Sequence, residues 1–393
     1  MPNFGHYMRE TLRLKGAETR AICREKLDRE RIKRIVLPGA MGGSAIGVGV
    51  LKMLLANQGF ETEIELWPHY PAPVRRLRPG DLAVIYAYSG NNEEQLLWMA
   101  PALEAGAQVV GMAVGGRLEQ MCREAAAPFV RIPGEEFGLA QPREHLPVAL
   151  ILLMLLAGET GVARNGARRF ELDEWLPRVD AASRRLTALA ESHYNVDAPA
   201  EQSVAKRAAL FLNWGTDDPS RITNILRTRD PVFWISALYE PIARRLENQF
   251  GECVEHPASA KIMPEDMHNE QEAYTQQWLE TVWPIGEASG AEPPASSTVF
   301  LRFQGPLDGR LGVRADKLFG DALAGAPRID FQIQDYGADC PMAGELEAIL
   351  FCDLTRAFAS IFRGVTPHYV HSMNYIKHYM ATIEGTPGST GTY

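Results

Sequence analysis

Cysteine is scarce and badly placed for crosslinking. Its five copies, Cys23, Cys122, Cys253, Cys340 and Cys352, are scattered, odd in number and contain no C-x-x-C pair. This argues against a disulfide frame and a zinc site, and fits reduced thiols in a cytoplasmic protein. Long apolar runs are also lacking. The longest, Pro147 to Ala157, falls well short of the ~20 residues that span a bilayer. The opening stretch MPNFGHYMRETLRLKG has no apolar core of the kind a secretory signal needs, so the expected location is the cytoplasm. There is no excess of positive charge: 40 Lys and Arg face 49 Asp and Glu, a formal net charge of −9. Nucleic acid and anionic membrane both need a basic face, so neither is expected as a partner. No Gly-Lys-Ser/Thr occurs, which excludes a P-loop. No His/Cys/Asp cluster has metal-ligand spacing, so no metal is expected.

What is present is the chemistry of a globular chain. With 46% hydrophobic and 23% charged residues, disorder is excluded. At 393 residues the chain is too long for one ordinary core and suits two lobes. The first 30 residues are charged and helix-prone. Then short β-type runs alternate with turns and helical stretches: Arg34 to Leu37, Glu63 to Trp67, Leu82 to Tyr86, Gln108 to Met112 and Phe129 to Ile132. Between Glu144 and Asn213 the spacing is helical. The alternation resumes with Val232 to Ile235, a helix over Glu240 to Phe250, a short strand at Cys253-Val254-Glu255, strands at Val299 to Phe303 and Ile329 to Ile333, and a long helix over Glu345 to Phe362. Such alternation predicts an α/β chain with doubly wound parallel sheets. The expected division is a helical segment 1–30, a first lobe 31–143, a helical linker 144–213, a second lobe 214–384 and a flexible tail 385–393. The small-residue stretch Gly286 to Ser297 reads as a loop.

Two strand–turn–helix units carry the strongest local signal. One runs from Ile35-Val36-Leu37 into Gly39-Ala40-Met41-Gly42-Gly43-Ser44, the other from Val84-Ile85-Tyr86 into Ala87-Tyr88-Ser89-Gly90-Asn91-Asn92. Where a parallel strand hands over to a helix, free N–H groups and the positive end of the helix dipole converge, which favours an anion. Glycine lets backbone approach a ligand and serine adds a donor. A tight turn without a ligand would look similar singly; two such turns with a serine in each point to a small anionic ligand. A dinucleotide is the rival. Gly39, Gly42 and Gly43 echo its fingerprint, with Glu63 or Glu65 downstream, but G-x-x-G-G-S is not G-x-G-x-x-G.

Gly42-Gly43-Ser44-Ala45-Ile46-Gly47 and Tyr88-Ser89-Gly90-Asn91-x-Glu93-Glu94 resemble the sugar isomerase (SIS) domain. More narrowly they resemble the bifunctional phosphoglucose/phosphomannose isomerase family, as do Gln141-Pro142-Arg143, Ala243-x-Arg245-x-x-x-Gln249, His268-Asn269-Glu270 and a closing pattern of Pro367, Val370, Ile376 and Lys377. The resemblance spans about Val36 to Lys377 and implies two SIS-type, flavodoxin-like lobes linked by helices. It also implies roles. Gly42, Gly43, Ser44, Ser89, Gly90, Asn91 and Asn92 would hold the anionic group of a hexose. Arg143 would steady charge on the sugar oxygens, and Glu270 would move the proton between the first two carbons. Lys377 would lie near the open-chain sugar. The implied protein is a homodimeric aldose–ketose isomerase without cofactor or metal.

The chain departs from that pattern in several places. The family has Ser or Thr where Ala87 and Asn92 stand, and Trp and Lys where Leu246 and Glu247 stand. The family's ring-opening histidine has no counterpart between Leu301 and Arg314, which leaves His268, His368 and His371 as candidates. A sulfonated sugar would satisfy the same anion site. A non-catalytic sugar-phosphate sensor and an amine-handling relative are the alternative readings.

Overall fold

The computed structural model describes residues 3–72, 75–134, 136–139, 141–218, 220, 222, 229–269, 298–321, 323 and 326–366. The chain divides into two compact units, one of Asn3–Arg185 and one beginning at Leu186.

In the first unit the strands are β1 (Arg34–Pro38), β2 (Glu61–Thr62), β3 (Ile64–Trp67), β4 (Asp81–Tyr86), β5 (Gln108–Ala113), β6 (Phe129–Arg131), β7 (Ala163–Asn165) and β8 (Arg168–Arg169). Five form one parallel sheet in the order β3-β1-β4-β5-β6. Its strands thus lie in the flavodoxin-like order, second-first-third-fourth-fifth, and the topological switch point falls between β1 and β4. Every residue of β4 is buried, as expected of a central parallel strand covered on both faces. The helices are α1 (Phe4–Lys26), α2 (Gly42–Asn57), the short α3 (Glu93–Leu96) and α4 (Met99–Glu104), α5 (Gly116–Glu124), and α6 (Leu146–Thr160). Trp98 and Met99 are core residues.

The division expected from sequence needs correcting at two places. The first 30 residues are not a separate segment, because α1 packs along α6 inside the first unit. Nor is 144–213 a linker. Helix α6 is apolar all round and buried everywhere but Gly158, and such a surface must be covered on every side. It does so against α1 and α2. At its end Glu159 accepts hydrogen bonds from Arg20 (2.6 Å), Arg24 (2.7 Å) and Arg29 (3.1 Å). A small antiparallel sheet of β2, β7 and β8 interrupts the helical stretch. The boundary between units falls inside α7 (Leu172–Ser192).

The second unit contains α8 (Val204–Trp214), β9 (Asp230–Ser236), α9 (Glu240–Gln249), β10 (Ser259–Met263), α10 (Glu265–Asn269), β11 (Thr298–Gln304), α11 (Gly309–Gly320), β12 (Arg328–Gln332) and α12 (Ala343–Phe362). Its parallel sheet runs β10-β9-β11-β12, the same second-first-third-fourth order. The short strand expected at Cys253-Val254-Glu255 is instead part of a wide helical turn, Phe250–Val254, that continues α9. It buries Phe250, Cys253 and Val254, with the Phe250 ring 5.3 Å from that of Phe233. Burial of these apolar side chains overrides the strand preference of a short run. The Ala243-x-Arg245-x-x-x-Gln249 pattern has a structural purpose. Arg245 Nε and Nη2 donate to Asp353 of α12 at 2.8 and 3.0 Å, and Gln249 Nε2 donates to the same carboxylate at 2.9 Å. A buried charge pair of this kind is held because each member satisfies the other. The segments 286–297 and 385–393 lie outside the described residues.

Candidate functional site

Both signal turns emerge at the carboxyl ends of β1 and β4, on either side of the switch point. Open α/β sheets bind ligands there. Gly39 joins the turns. Its φ is +71° and its N–H donates to Trp67 O at 2.7 Å. A Cβ on it would stand 2.2 Å from Glu94 O, so the first turn lies directly on the backbone of α3.

Helix α2 begins at Gly42, with φ +53° and no atom within 4 Å of where a Cβ would project. The leading N–H groups of a 16-residue helix therefore open from a turn of glycines. Gly43 is half-buried and Ser44 buried. The Ser44 hydroxyl donates back to Met41 O at 2.8 Å. Its proton is committed to the Met41 carbonyl at the start of α2, so the hydroxyl tightens the first turn of that helix and is not a spare donor.

The second turn is braced from beneath by the β5–α5 connection. Ala87 N donates to Met112 O, Val114 N to Tyr88 O and Leu118 N to Gly90 O, at 3.1, 2.9 and 2.9 Å. Gly90 has φ +74°, and a Cβ there would meet Gly115 O at 1.9 Å. Asn91 reaches across: its Oδ1 accepts from Arg117 N at 2.9 Å, while its own N–H donates to Ser89 Oγ at 3.3 Å. Ser89 is half-buried, with its Oγ 3.5 Å from Asn92 Oδ1. Asn92 caps α3 by position but without a side-chain cap bond. Ala87 does not face this turn's ligand side. Its methyl belongs to the buried cluster of Val36, Ile85 and Leu96, so a hydroxyl there would have been spent in the core.

Arg143 arrives on a third element. Gln141 opens a tight 3₁₀ turn over Pro142–His145, with reciprocal capping between Gln141 and Glu144. The turn packs against α2 and runs into α6. Arg143 is buried. Two residues on, His145 is completely buried; its Nδ1 lies 2.9 Å from Gln141 O. Its ring centroid is 4.1 Å from that of Tyr88. Burial pushes its pKa down to about 4, against the weaker pull of Gln141 O and Glu144. Nothing in the sequence marks His145; only the folded turn sets it beside Tyr88.

Among the predicted site residues, the first unit gathers Gly42, Gly43, Ser44, Ser89, Gly90, Asn91, Asn92 and Arg143 on three neighbouring elements. His268 belongs to α10 of the second unit. Its side chain, together with Glu270, Lys377, His368 and His371, lies outside the described residues. In the second unit a buried carboxylate ties the residue that ends β9 to the turn that follows β11. Asp308 is buried and accepts from Ser236 Oγ at 2.6 Å and Gly305 N at 2.7 Å. Among the described residues no group of three or more His, Cys, Asp and Glu is placed to hold a metal ion. No described helix is long and apolar enough to cross a membrane.

The profile of the bacterial phospho-glucose isomerase C-terminal SIS domain matches residues 216–380. Over those residues the chain is similar to the SIS domain, and it resembles the bifunctional phosphoglucose/phosphomannose isomerases. One bifunctional phosphoglucose/phosphomannose isomerase, from Caldicellulosiruptor bescii, is 28% identical over 242 residues, covering 61% of this chain and 62% of the relative. Another, from Aeropyrum pernix, is 27% identical over 243 residues, 61% of each. The match therefore spans about three fifths of the length of these curated relatives. Among solved structures, tagatose-6-phosphate ketose/aldose isomerase from Escherichia coli superposes with a TM-score of 0.56 at 14% identity, covering 93% of this chain and 92% of that one. The C-terminal domain of glucosamine-fructose-6-phosphate aminotransferase from Francisella tularensis gives 0.55 at 12%, covering 92% and 97%. At such identities these two establish the SIS fold alone.

Proposed function

We propose that this chain is an aldose–ketose isomerase acting on an anionic hexose, such as glucose 6-phosphate, mannose 6-phosphate or a sulfonated analogue. The observation that carries the reading is the meeting, at one switch point, of the Gly42-Gly43-Ser44 turn, the Ser89-Gly90-Asn91 turn and the Gln141–His145 turn with Arg143. The two glycine turns supply backbone N–H groups and the Ser89 hydroxyl to the anionic group. Ser44 contributes by shaping the start of α2, and Asn92 offers an amide donor. Once the ring has opened, Glu270 takes the proton from the carbon beside the carbonyl and returns it to the neighbouring carbon through an enediol. Arg143, with Lys377 beside the open-chain sugar, stabilises the enediolate. His268, His368 and His371 are the candidates for ring opening. The reading includes a homodimer in the cytoplasm and a reaction that needs no metal or organic cofactor.

The test is proton exchange at carbon 2 in deuterium oxide, followed by NMR with each sugar. Wild-type protein should exchange it, and Glu270→Gln should bind the sugar but exchange at least ~100-fold more slowly, the usual size of a general-base contribution. Binding without exchange by the wild type would favour the sensor reading. Near-normal exchange by Glu270→Gln would remove Glu270 as the base.

A further inference from the structure

We propose that His145 is a positioning residue of this site, joining the turn that bears Arg143 to the turn that bears Ser89. The proposal rests on the isomerase reading above for its effect on turnover, and on geometry for the coupling itself.

The joint has two halves. On one side, His145 Nδ1 is 2.9 Å from Gln141 O. A carbonyl only accepts, so the ring proton sits on Nδ1. This bond closes the Gln141–His145 turn on itself, with Arg143 held between its ends. On the other side, the imidazole lies against the Tyr88 ring, at 4.1 Å and 42°. Tyr88 immediately precedes Ser89. Its hydroxyl donates to Leu139 O at 2.8 Å, and its carbonyl accepts from Val114 N at 2.9 Å. Tyr88 is therefore fixed at both ends and cannot follow a ring that moves. Gly134 completes the enclosure. A Cβ there would come within 2.7 Å of Val114 Cγ1, 3.1 Å of the Tyr88 hydroxyl and 3.4 Å of His145 Nε2.

Packing alone does not account for a histidine here. Its Nε2 is buried without a hydrogen-bond partner, a cost that an apolar side chain of similar size would avoid. What an apolar side chain would not do is donate to Gln141 O. The ring stays neutral across the physiological range, because burial pushes its pKa down to about 4. It therefore brings no charge of its own beside Arg143 and Glu144. The imidazole orients and does not transfer a proton.

Two variants separate the halves of the joint. His145→Phe keeps a ring against Tyr88 and loses the donor. His145→Asn keeps a donor near the Nδ1 position. Both are first checked for a wild-type melting transition. With glucose 6-phosphate as substrate, kcat/KM of His145→Phe should fall about tenfold to a hundredfold, the scale of a small misplacement of a site group. His145→Asn should recover most of the loss. In an Arg143→Ala background the His145→Phe change should cost less than about twofold more, because the effect runs through Arg143. A wild-type rate for His145→Phe, or full additivity with Arg143→Ala, would overturn the proposal. Backbone amide NMR signals of Ser89 and Asn91 give a readout independent of turnover: they should shift in His145→Phe and return in His145→Asn. If the amides shift as expected while the wild type turns over no sugar phosphate, the isomerase reading fails and the joint stands. If turnover is present and neither amides nor rates respond, the joint is refuted.

Discussion

Replacing Gly90 by alanine measures how closely the second turn is pressed onto the β5–α5 connection. Two costs are expected. The first is conformational. At φ +74° an L side chain sits in the left-handed region, which costs about 1–2 kcal/mol. The second is steric. The new methyl would stand 1.9 Å from Gly115 O and 2.9 Å from Gly115 C, both backbone atoms with no rotamer to escape into. The turn must retreat by more than an ångström, and that breaks the Leu118 N to Gly90 O bond of 2.9 Å. A buried group left unpaired costs about 1–3 kcal/mol. Together the loss is about 2–5 kcal/mol. Gly42→Ala is the internal control. It has φ +53° and nothing within 4 Å of the added Cβ, so only the conformational part, about 1–2 kcal/mol, should appear. Urea unfolding of both variants, compared at equal slope, reads the difference directly. Gly90→Ala should also weaken sugar-phosphate binding, because Ser89 and Asn91 move with the turn. Equal destabilisation of the two variants would refute the steric reasoning.

Ser89→Ala removes a hydroxyl donor to a charged group, an interaction of about 1.5–3 kcal/mol. Its affinity for the sugar should fall tenfold or more by calorimetry; unchanged affinity would mean the hydroxyl does not touch the anion. His145 makes the first unit acid-sensitive. Its folded pKa of about 4 lies below its ordinary 6.5, so the unfolded chain takes up the proton first. The stability it confers is complete above 6.5 and is lost as pH falls towards 4. Between pH 7 and 5 the loss is about 2 kcal/mol, and it should be absent from the stability–pH curve of His145→Phe; parallel curves for the two proteins would show that the ring is not buried as a neutral base. Asp353→Ala strands the buried guanidinium of Arg245 and should destabilise the second unit by about 3–5 kcal/mol. A loss below 1 kcal/mol would show that the pair is hydrated.

Several features of this protein were already determined by its sequence. The alternation of β-type runs with glycine turns is a local property, and each of the runs Arg34 to Leu37, Leu82 to Tyr86 and Gln108 to Met112 became a strand of a parallel sheet. The helix over Pro147 to Ala157 was legible because a stretch apolar on every side has nowhere to go but a core. The glycine and serine turns were legible because the handover from strand to helix demands small residues locally. Other features were decided only by tertiary structure. Strands β7 and β8 are three and two residues of mostly charged sequence; β7 exists only because Glu61 and Thr62 offer it an edge, and β8 only because it pairs with β7. Cys253 to Glu255 looks like a strand in isolation, but Cys253 and Val254 are held in a helical turn by the burial of Phe250 and Val254, and Glu255 ends it. Arg245 and Gln249 read as a motif, but their partner Asp353 lies more than a hundred residues away. Ala87 reads as a lost hydroxyl until its methyl is seen among core residues. His145 carries no pattern at all. What gives it a role is a neighbour, Tyr88, brought against it by the sheet, and contacts between distant residues are set by packing, which no local spacing of residue types encodes.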